Sequence, residues 1–438
     1  MQSLFAPYTD SIDFFKGHNP FDLIKKYLSP LYVYNEDVLR TRCRDFKNLS
    51  KDSKFTVSYS SKANSNPFLL NIMREEGIDV DVMSPGELCT ALAAGYTKEH
   101  ISYVSNNISS EEMLLGTKNC KIIGLDSLAQ LEMFGKVSPN SKVMLRFNPG
   151  IGAGHHKKVI TAGKETKFGV NPDELPDVQD ILKEYNLQLT GINQHIGSLF
   201  MEPSSYLQAV EWLLDFAEQL DLKQLEIIDF GGGFGIPYHK HASEPRLDLK
   251  QTGEKLDSLL TSFRKKTGYN GSFMIEPGRY IPAESGLVLG TVYSTKQNAE
   301  TTFVGTDIGF NILARPMLYD AYHEIEVFRE NYDKEEAVEF IPQTITGNIC
   351  ESGDILAKMR NLPEINEGDL VALLDAGAYG FSMSSNYNMR LRPAELLITS
   401  SGKLELIRKR QSITDLFNSI EIKNPSKDLT TLLNTVIS

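Results

Sequence analysis

Residues 55–105 read FTVSYSSKANSNPFLLNIMREEGIDVDVMSPGELCTALAAGYTKEHISYVS. Three short β-branched or aromatic runs, FTVSYS (55–60), IDVDVMS (78–84) and ISYVS (101–105), alternate here with two stretches of helical spacing, PFLLNIMREEG and PGELCTALAAG. That order predicts parallel strands joined by right-handed crossovers, because each helix carries the chain back across the sheet face. The beat continues downstream. KIIGLD (121–126), KVMLRFN (142–148), LTGINQHI (189–196), LEIIDF (225–230) and SFMIE (272–276) read as strands, with SLAQLEMFGKV and SSYLQAVEWLLDFAEQL as helices among them. Eight strands are the number that closes a (β/α)8 TIM barrel, and the span approaches the roughly 250 residues typical of one. An open doubly wound sheet satisfies the same periodicity, but the count of eight favours the barrel.

After about residue 284 the rhythm changes. GLVLGTVYSTK, TTFVGTD, IEVFR, EFIPQTITG, DLVALLD and ELLITSSGKLELIRK are strand-like runs separated by turn residues, with few convincing helices. These predict a mostly antiparallel β domain. SPLYVYN (29–35) precedes the first barrel helix and has no barrel partner, so it is expected to join that sheet. The expected division is therefore a barrel over 36–283 and a β domain built from both chain ends, 1–35 and 284–438. The closing NPSKDLTTLLNTVIS has the pattern of a short amphipathic helix.

Composition bounds the chemistry. The chain has 438 residues, 41% hydrophobic and 23% charged, with Lys+Arg 45 against Asp+Glu 57 for a net charge of -12. Nucleic acid and anionic membranes are poor partners for such a surface, so any bound anion needs a local site. Cys43, Cys89, Cys120 and Cys350 form no CxxC pair, which argues against a zinc ribbon or a disulfide scaffold and for a reducing cytoplasm. The opening MQSLFAPYTD has no basic stretch followed by an apolar one, and no apolar run reaches about 18 residues. No targeting or membrane segment is expected.

In a barrel of this kind, functional groups collect at the C-terminal strand ends. Strand one ends in SKAN, which places Lys62 at the mouth, where desolvation would free a neutral amine for Schiff-base formation. A solvated lysine is the ordinary alternative. Strand six ends in HIGS (His195, Gly197, Ser198), and strand seven in GGGFG (231–235). Gly231, Gly232 and Gly233 allow backbone N–H groups to approach an anion, and the run does not fit the dinucleotide pattern GxGxxG. Strand eight ends in EPGR, giving Glu276, Gly278 and Arg279. The loops after strands seven and eight are a frequent phosphate site in barrels. A lysine, a flat-faced histidine, a phosphate nest and a lone carboxylate together suggest pyridoxal 5'-phosphate. Lys62 would take the aldehyde and His195 cover the ring; Ser198, the glycines and Arg279 would hold the phosphate, and Glu276 would pair with the ring nitrogen.

These residues lie in fragments that resemble the fold-type III pyridoxal-phosphate decarboxylases over nearly the whole chain. LYVYN, SKAN, SPGEL, RFNPG, TKFG, QHIGS, GGGFG and EPGRY carry the likeness through the barrel; ARPMLYDAYHE, CESGD and GAYGFSMSSNYN carry it through the β domain. The resemblance implies an alanine racemase-like barrel plus a β domain and a head-to-tail homodimer with shared active sites. Within the family it implies decarboxylation of meso-2,6-diaminopimelate to L-lysine and CO2. Carried over by motif, Cys350 is the proton donor in the neighbouring subunit's site, beside Glu351, which recognises the substrate's distal ammonium. Tyr379 contacts phosphate, while Arg279, Arg315 and Tyr319 contact substrate carboxylate.

One loop departs from the family. IGAGHHKKVITAGKE (151–165) replaces an acidic stretch, and it reads either as a lid over the site or as a solvated loop. Its His155–His156 pair is too little for a metal site, so no metal is expected. Other readings are a decarboxylase of another basic amino acid (D-ornithine, D-lysine, ornithine or carboxynorspermidine), a racemase, or a non-catalytic homologue. Glu276 speaks against a racemase, which usually works with a less protonated ring. Retention of Lys62, Cys350, the glycines and Arg279 speaks against a non-catalytic homologue.

Overall fold

The structure, a computed structural model, describes residues 3–150, 153–154, 167–332, 338–421, 426 and 428–429. The loop 151–165, apart from the backbone of 153–154, and most of the C-terminal NPSKDLTTLLNTVIS lie outside the described residues. The chain forms two compact units. One comprises Val38–Pro237 and Pro245–Pro282; the other comprises Met1–Asp37, Tyr238–Glu244 and Ala283–Ser438.

The first unit is a closed barrel of eight parallel strands: Phe55–Ser60, Asp79–Val82, Ile101–Val104, Ile122–Leu125, Lys142–Arg146, Gln188–Asn193, Ile227–Asp229 and Ser272–Ile275. The last strand pairs with the first, Phe273 opposite Phe55, which removes both sheet edges. The eight observed strands are those the hydrophobic runs mark. Helix starts follow from capping chemistry: Asn66, Ser84, Ser127 and Asp248 each accept a hydrogen bond from a backbone N–H in the first turn of the helix they precede. Inside the barrel, Ile122, Met144, Ile227 and Met274 pack together with Val104. That apolar plug fills the interior, so polar side chains gather nearer the C-terminal strand ends.

The second unit is a ten-stranded sheet, mostly antiparallel. Leu31–Asn35 lies inside it, antiparallel to Gly286–Asn298 and parallel to Ala394–Ile398, so both ends of the chain build the sheet. Alternation sets its two faces. Leu31 and Val33 enter a core with Phe14, Phe15, Leu287, Leu289 and Leu396. Tyr32 and Tyr34 point the other way, where their hydroxyls donate to the Ile312 carbonyl and to Glu395. Two strands escape the sequence pattern: Ser3–Phe5 and Ile355–Pro363. Segment Tyr238–Glu244, which the sequence reading leaves within the barrel span, is held by this unit through buried charges. Lys240 Nζ lies 2.7 Å from Glu284 and 3.2 Å from Asp375, and His241 lies 3.3 Å from Glu324. Among the described residues, no helix is long and apolar enough to cross a membrane.

Because Leu31 is fully buried between two partner strands, Leu31→Ala should cost about 2–5 kcal/mol of stability. Urea unfolding followed by circular dichroism tests this; a midpoint equal to that of the native chain would refute the central placement of the N-terminal strand.

Candidate active site

Register assembles a polar layer at the barrel mouth. Ser60, Asp81 and Ser102 are direct partners on three adjacent strands, and Arg146, Asn193 and Asp229 are partners on three others. Beyond this layer lie the turns that carry most of the candidates.

Lys62 sits in a single 3-10 turn, Ser61–Ala63, directly after the first strand. Its neighbours fix the turn: Ser61 Oγ donates to Glu87 (2.8 Å) and Tyr59 Oη to the Asn64 carbonyl (3.1 Å). The side chain is exposed in the single chain, so the desolvation expected from sequence is not supplied by this unit alone. Its charge acts on Asp81, Glu276 and His195.

The Gly231–Gly235 turn meets the ends of strands six and eight backbone to backbone. A side chain at Gly231 would place Cβ 2.1 Å from the Gln194 carbonyl oxygen, and one at Gly232 would place it 2.0 Å from that of Glu276. Gly231 and Gly233 also have φ of 68° and 116°, in the region that favours glycine. Gly232 N–H donates to His195 Nδ1 (3.1 Å). In neutral imidazole that leaves the proton on Nε2. Burial first, then the Lys62 and Arg146 charges, hold His195 well below the ordinary imidazole range. It is therefore neutral at pH 7.

Ser198 and Arg279 come together: Arg279 Nη2 donates to Ser198 Oγ at 3.0 Å. Phe200 N–H donates to the Gly233 carbonyl and Gly235 N–H to that of Phe200, each at 3.0 Å, which ties the two glycine-containing turns to each other. Glu276 is buried, its N–H donates to the Gly231 carbonyl (3.0 Å), and its Oε1 has no hydrogen-bond partner among the described residues. Burial raises Glu276 above the ordinary carboxylate range, against the pull of Lys62, a hydrogen bond to Asp229, and Arg146.

Sequence reasoning missed Asp81, Asp229 and Arg146. Each lies within a mainly apolar strand pattern, where a charged residue reads as an interruption. Adjacency to the glycine run was the one available signal for Asp229.

The other candidates belong to the β unit. Cys350 and Glu351 are exposed on the turn between Phe340–Thr346 and Ile355–Pro363. Asp354 organises that turn by accepting from Ile349 N–H and Phe310 N–H, each at 2.7 Å, and Cys350 N–H donates to Asn388 Oδ1 (2.8 Å). Arg315 starts the short helix Arg315–Tyr319, which also carries the half-buried Tyr319. Arg315 itself is buried, with Nη1 2.7 Å from His323 Nε2 and its guanidinium 4.8 Å from the Tyr238 ring centroid. Tyr379 is half-buried with φ 57°, a strained value for a bulky residue.

Comparison with known proteins defines the class. The family model described as "Pyridoxal-dependent decarboxylase, pyridoxal binding domain" matches residues 36–283, more than half of the chain. This chain belongs to the pyridoxal-dependent decarboxylases. More particularly, it is 39% identical over 407 residues to the diaminopimelate decarboxylase of Methanothermobacter thermautotrophicus, covering 91% of this chain and 93% of the relative. It is 33% identical over 430 residues to that of Escherichia coli K12, covering 94% and 98%. The crystal structure of diaminopimelate decarboxylase from Helicobacter pylori complexed with L-lysine superposes with a TM-score of 0.82 at 30% identity, over 91% of this chain and 98% of that one.

Gly232→Ala should push the Glu276 turn outward, since its Cβ would lie 2.0 Å from the Glu276 carbonyl oxygen, far inside van der Waals contact. Affinity for pyridoxal phosphate should fall more than about tenfold, as about 1.4 kcal/mol of strain suffices. Absorbance titration of the cofactor-free protein checks this; undiminished affinity would show that the turn is not closed in solution.

Proposed function

We propose that this protein is a carboxy-lyase that converts meso-2,6-diaminopimelate to L-lysine and CO2. One observation carries the reading: a lysine, a glycine cradle and a buried carboxylate meet at one barrel mouth, in a chain whose full-length relatives are diaminopimelate decarboxylases.

The residues present fit pyridoxal phosphate. Glu276 Oε1 is a buried acceptor with no hydrogen-bond partner among the described residues, and the glycine cradle brings backbone to where a side chain would intrude. Lys62 would hold the aldehyde carbon, and His195 the ring face. Ser198, Gly231, Gly232, Gly233, Gly278, Arg279 and Tyr379 would hold the phosphate, and Glu276 the ring nitrogen. When bound, the cofactor supplies an aldehyde for the substrate amine and an electron-accepting heterocycle. Neutral His195 would cover that heterocycle without adding a cation beside it. A Glu276 carboxylate would favour a proton on the ring nitrogen.

Arg279, Arg315, Tyr319 and Tyr379 orient the substrate in this reading. Cys350 of the partner subunit delivers the proton to Cα, and Glu351 of the partner subunit holds the distal ammonium. Exposure of both residues on one organised turn supports a shared site in a homodimer. The four free cysteines suit a reducing cytoplasm.

Lys62→Ala should abolish the visible absorbance of the protein-bound cofactor together with activity. A CO2-release assay across diamino acids, with the diaminopimelate stereoisomers included, should show highest kcat/KM for the meso form; preference for ornithine or lysine would overturn the substrate assignment. Mixing Lys62→Ala with Cys350→Ala subunits should restore part of the activity that each lacks. Mixed dimers as inactive as their parents would exclude a shared site.

A further inference from the structure

Asp229 is fully buried at the end of strand seven, two residues before the glycine turn. Its Oδ1 accepts Gly231 N–H at 2.9 Å, and Asn193 Nδ2 lies 3.4 Å from Oδ2. Glu276 is buried at the end of the adjacent strand, where Phe230 N–H donates to the Met274 carbonyl (2.9 Å) and Glu276 N–H to that of Gly231 (3.0 Å), and the two carboxyl groups act directly on each other. Two adjacent carboxylates buried away from water are not both readily ionised, and one proton shared between them relieves the repulsion.

The surroundings decide which partner keeps it. Asp81, Asp229 and Glu276 share one interior with Arg146, under the charge of the exposed Lys62, and Arg146 acts on Glu276, Asp126 and Asp229 in that order. Both Lys62 and Arg146 act on Glu276, and Lys62 acts on Asp81. Asp229 has the acids Glu276 and Asp81 as its main charged neighbours, Arg146 acts on it less than on Glu276, and the Gly231 N–H is its main compensation. His195 is neutral, and the Tyr206 hydroxyl is a buried neighbour of both acids. Burial and the Glu276 charge hold Asp229 well above the ordinary carboxylate range.

We propose that Asp229 is a protonated positioning residue whose O–H donates to Glu276, holding that carboxylate anionic and leaving Oε1 for the cofactor ring nitrogen. The inference rests on the reading that Glu276 faces that nitrogen. It adds a reason why the nitrogen stays protonated. In a dry site a carboxylate beside a protonated heterocycle tends to take the proton, and both become neutral. A donated hydrogen bond makes Glu276 a weaker base, so the proton stays on the ring. Asp229 touches neither substrate nor cofactor in this account.

The test uses full-length protein loaded with pyridoxal phosphate labelled with nitrogen-15 in the ring. The native protein should show the chemical shift of a protonated ring nitrogen. Asp229→Asn can donate the same hydrogen bond without ionising, so it should keep that shift. Asp229→Ala should move the shift toward the neutral nitrogen and lower kcat about ten- to hundredfold with a smaller change in KM. If the alanine variant fails to fold, the asparagine variant alone decides, because a required negative charge at 229 would make it lose the protonated shift. Loss of that shift in Asp229→Asn, or its retention in folded Asp229→Ala, overturns the proposal. Glu276→Gln separates this from the underlying reading: an unmoved shift there removes Glu276 from the ring nitrogen, and the role of Asp229 falls with it.

Discussion

The turn after Ile227–Asp229 passes its neighbours with no room for a side chain. At Gly231 and Gly232 the backbones of three strand ends come so close that any Cβ would fall about 2 Å from a carbonyl oxygen. This contact sets much of the barrel mouth. It brings Gly232 N–H to His195 Nδ1 and thereby selects the imidazole tautomer. It brings the Gly231 carbonyl to Glu276 N–H and so places the buried carboxylate. Through Gly233 and Phe200 it also anchors the turn where Ser198 meets Arg279. A site with so little slack holds its donors in place before any ligand arrives, which is how a protein avoids reorganisation during reaction.

The same closeness creates an electrostatic problem. Three acids lie in one interior with the charges of Lys62 and Arg146, beside an apolar plug that offers no hydrogen bonds. Burying an unpaired charge is costly, and proteins meet the cost by pairing it or by retaining a proton. Both solutions occur here. Lys62 and Arg146 both pull on Glu276, whereas Asp229 has mainly acids around it and a weaker pull from Arg146. The β unit answers a comparable problem by pairing alone. Lys240 is buried between Glu284 and Asp375, while hydrogen bonds to Glu324 and Glu326 outweigh burial and push His241 up to about 9.

Most of the fold was legible because its elements have clean periods. The barrel strands are short apolar runs, and the helices between them carry caps and helical spacing. Leu31–Asn35 could be assigned to the far sheet because a strand ahead of the first barrel helix has nowhere else to pair. Ile355–Pro363 was not legible, since Lys358 and Arg360 break its alternation and Met359 adopts φ 46° where the register shifts. Ser3–Phe5 is too short for a pattern. In the site, Ser198 and Arg279 beside glycine turns were found by their local chemistry, while Asp229, ahead of the glycine run, was missed. Asp81 and Arg146 were missed because their partners lie on other strands.

Local sequence determined the order of strands and helices, the glycine turns, and the residue types offered at each strand end, because backbone conformation and hydrophobic period act over a few residues. Tertiary structure decided what those residues became. Closure of the sheet put Asp81, Arg146 and Asp229 into one interior, although 148 positions separate the first from the last. Whether a carboxyl group holds its proton depends on the charges and the water around it, and those are fixed only once distant strands have paired.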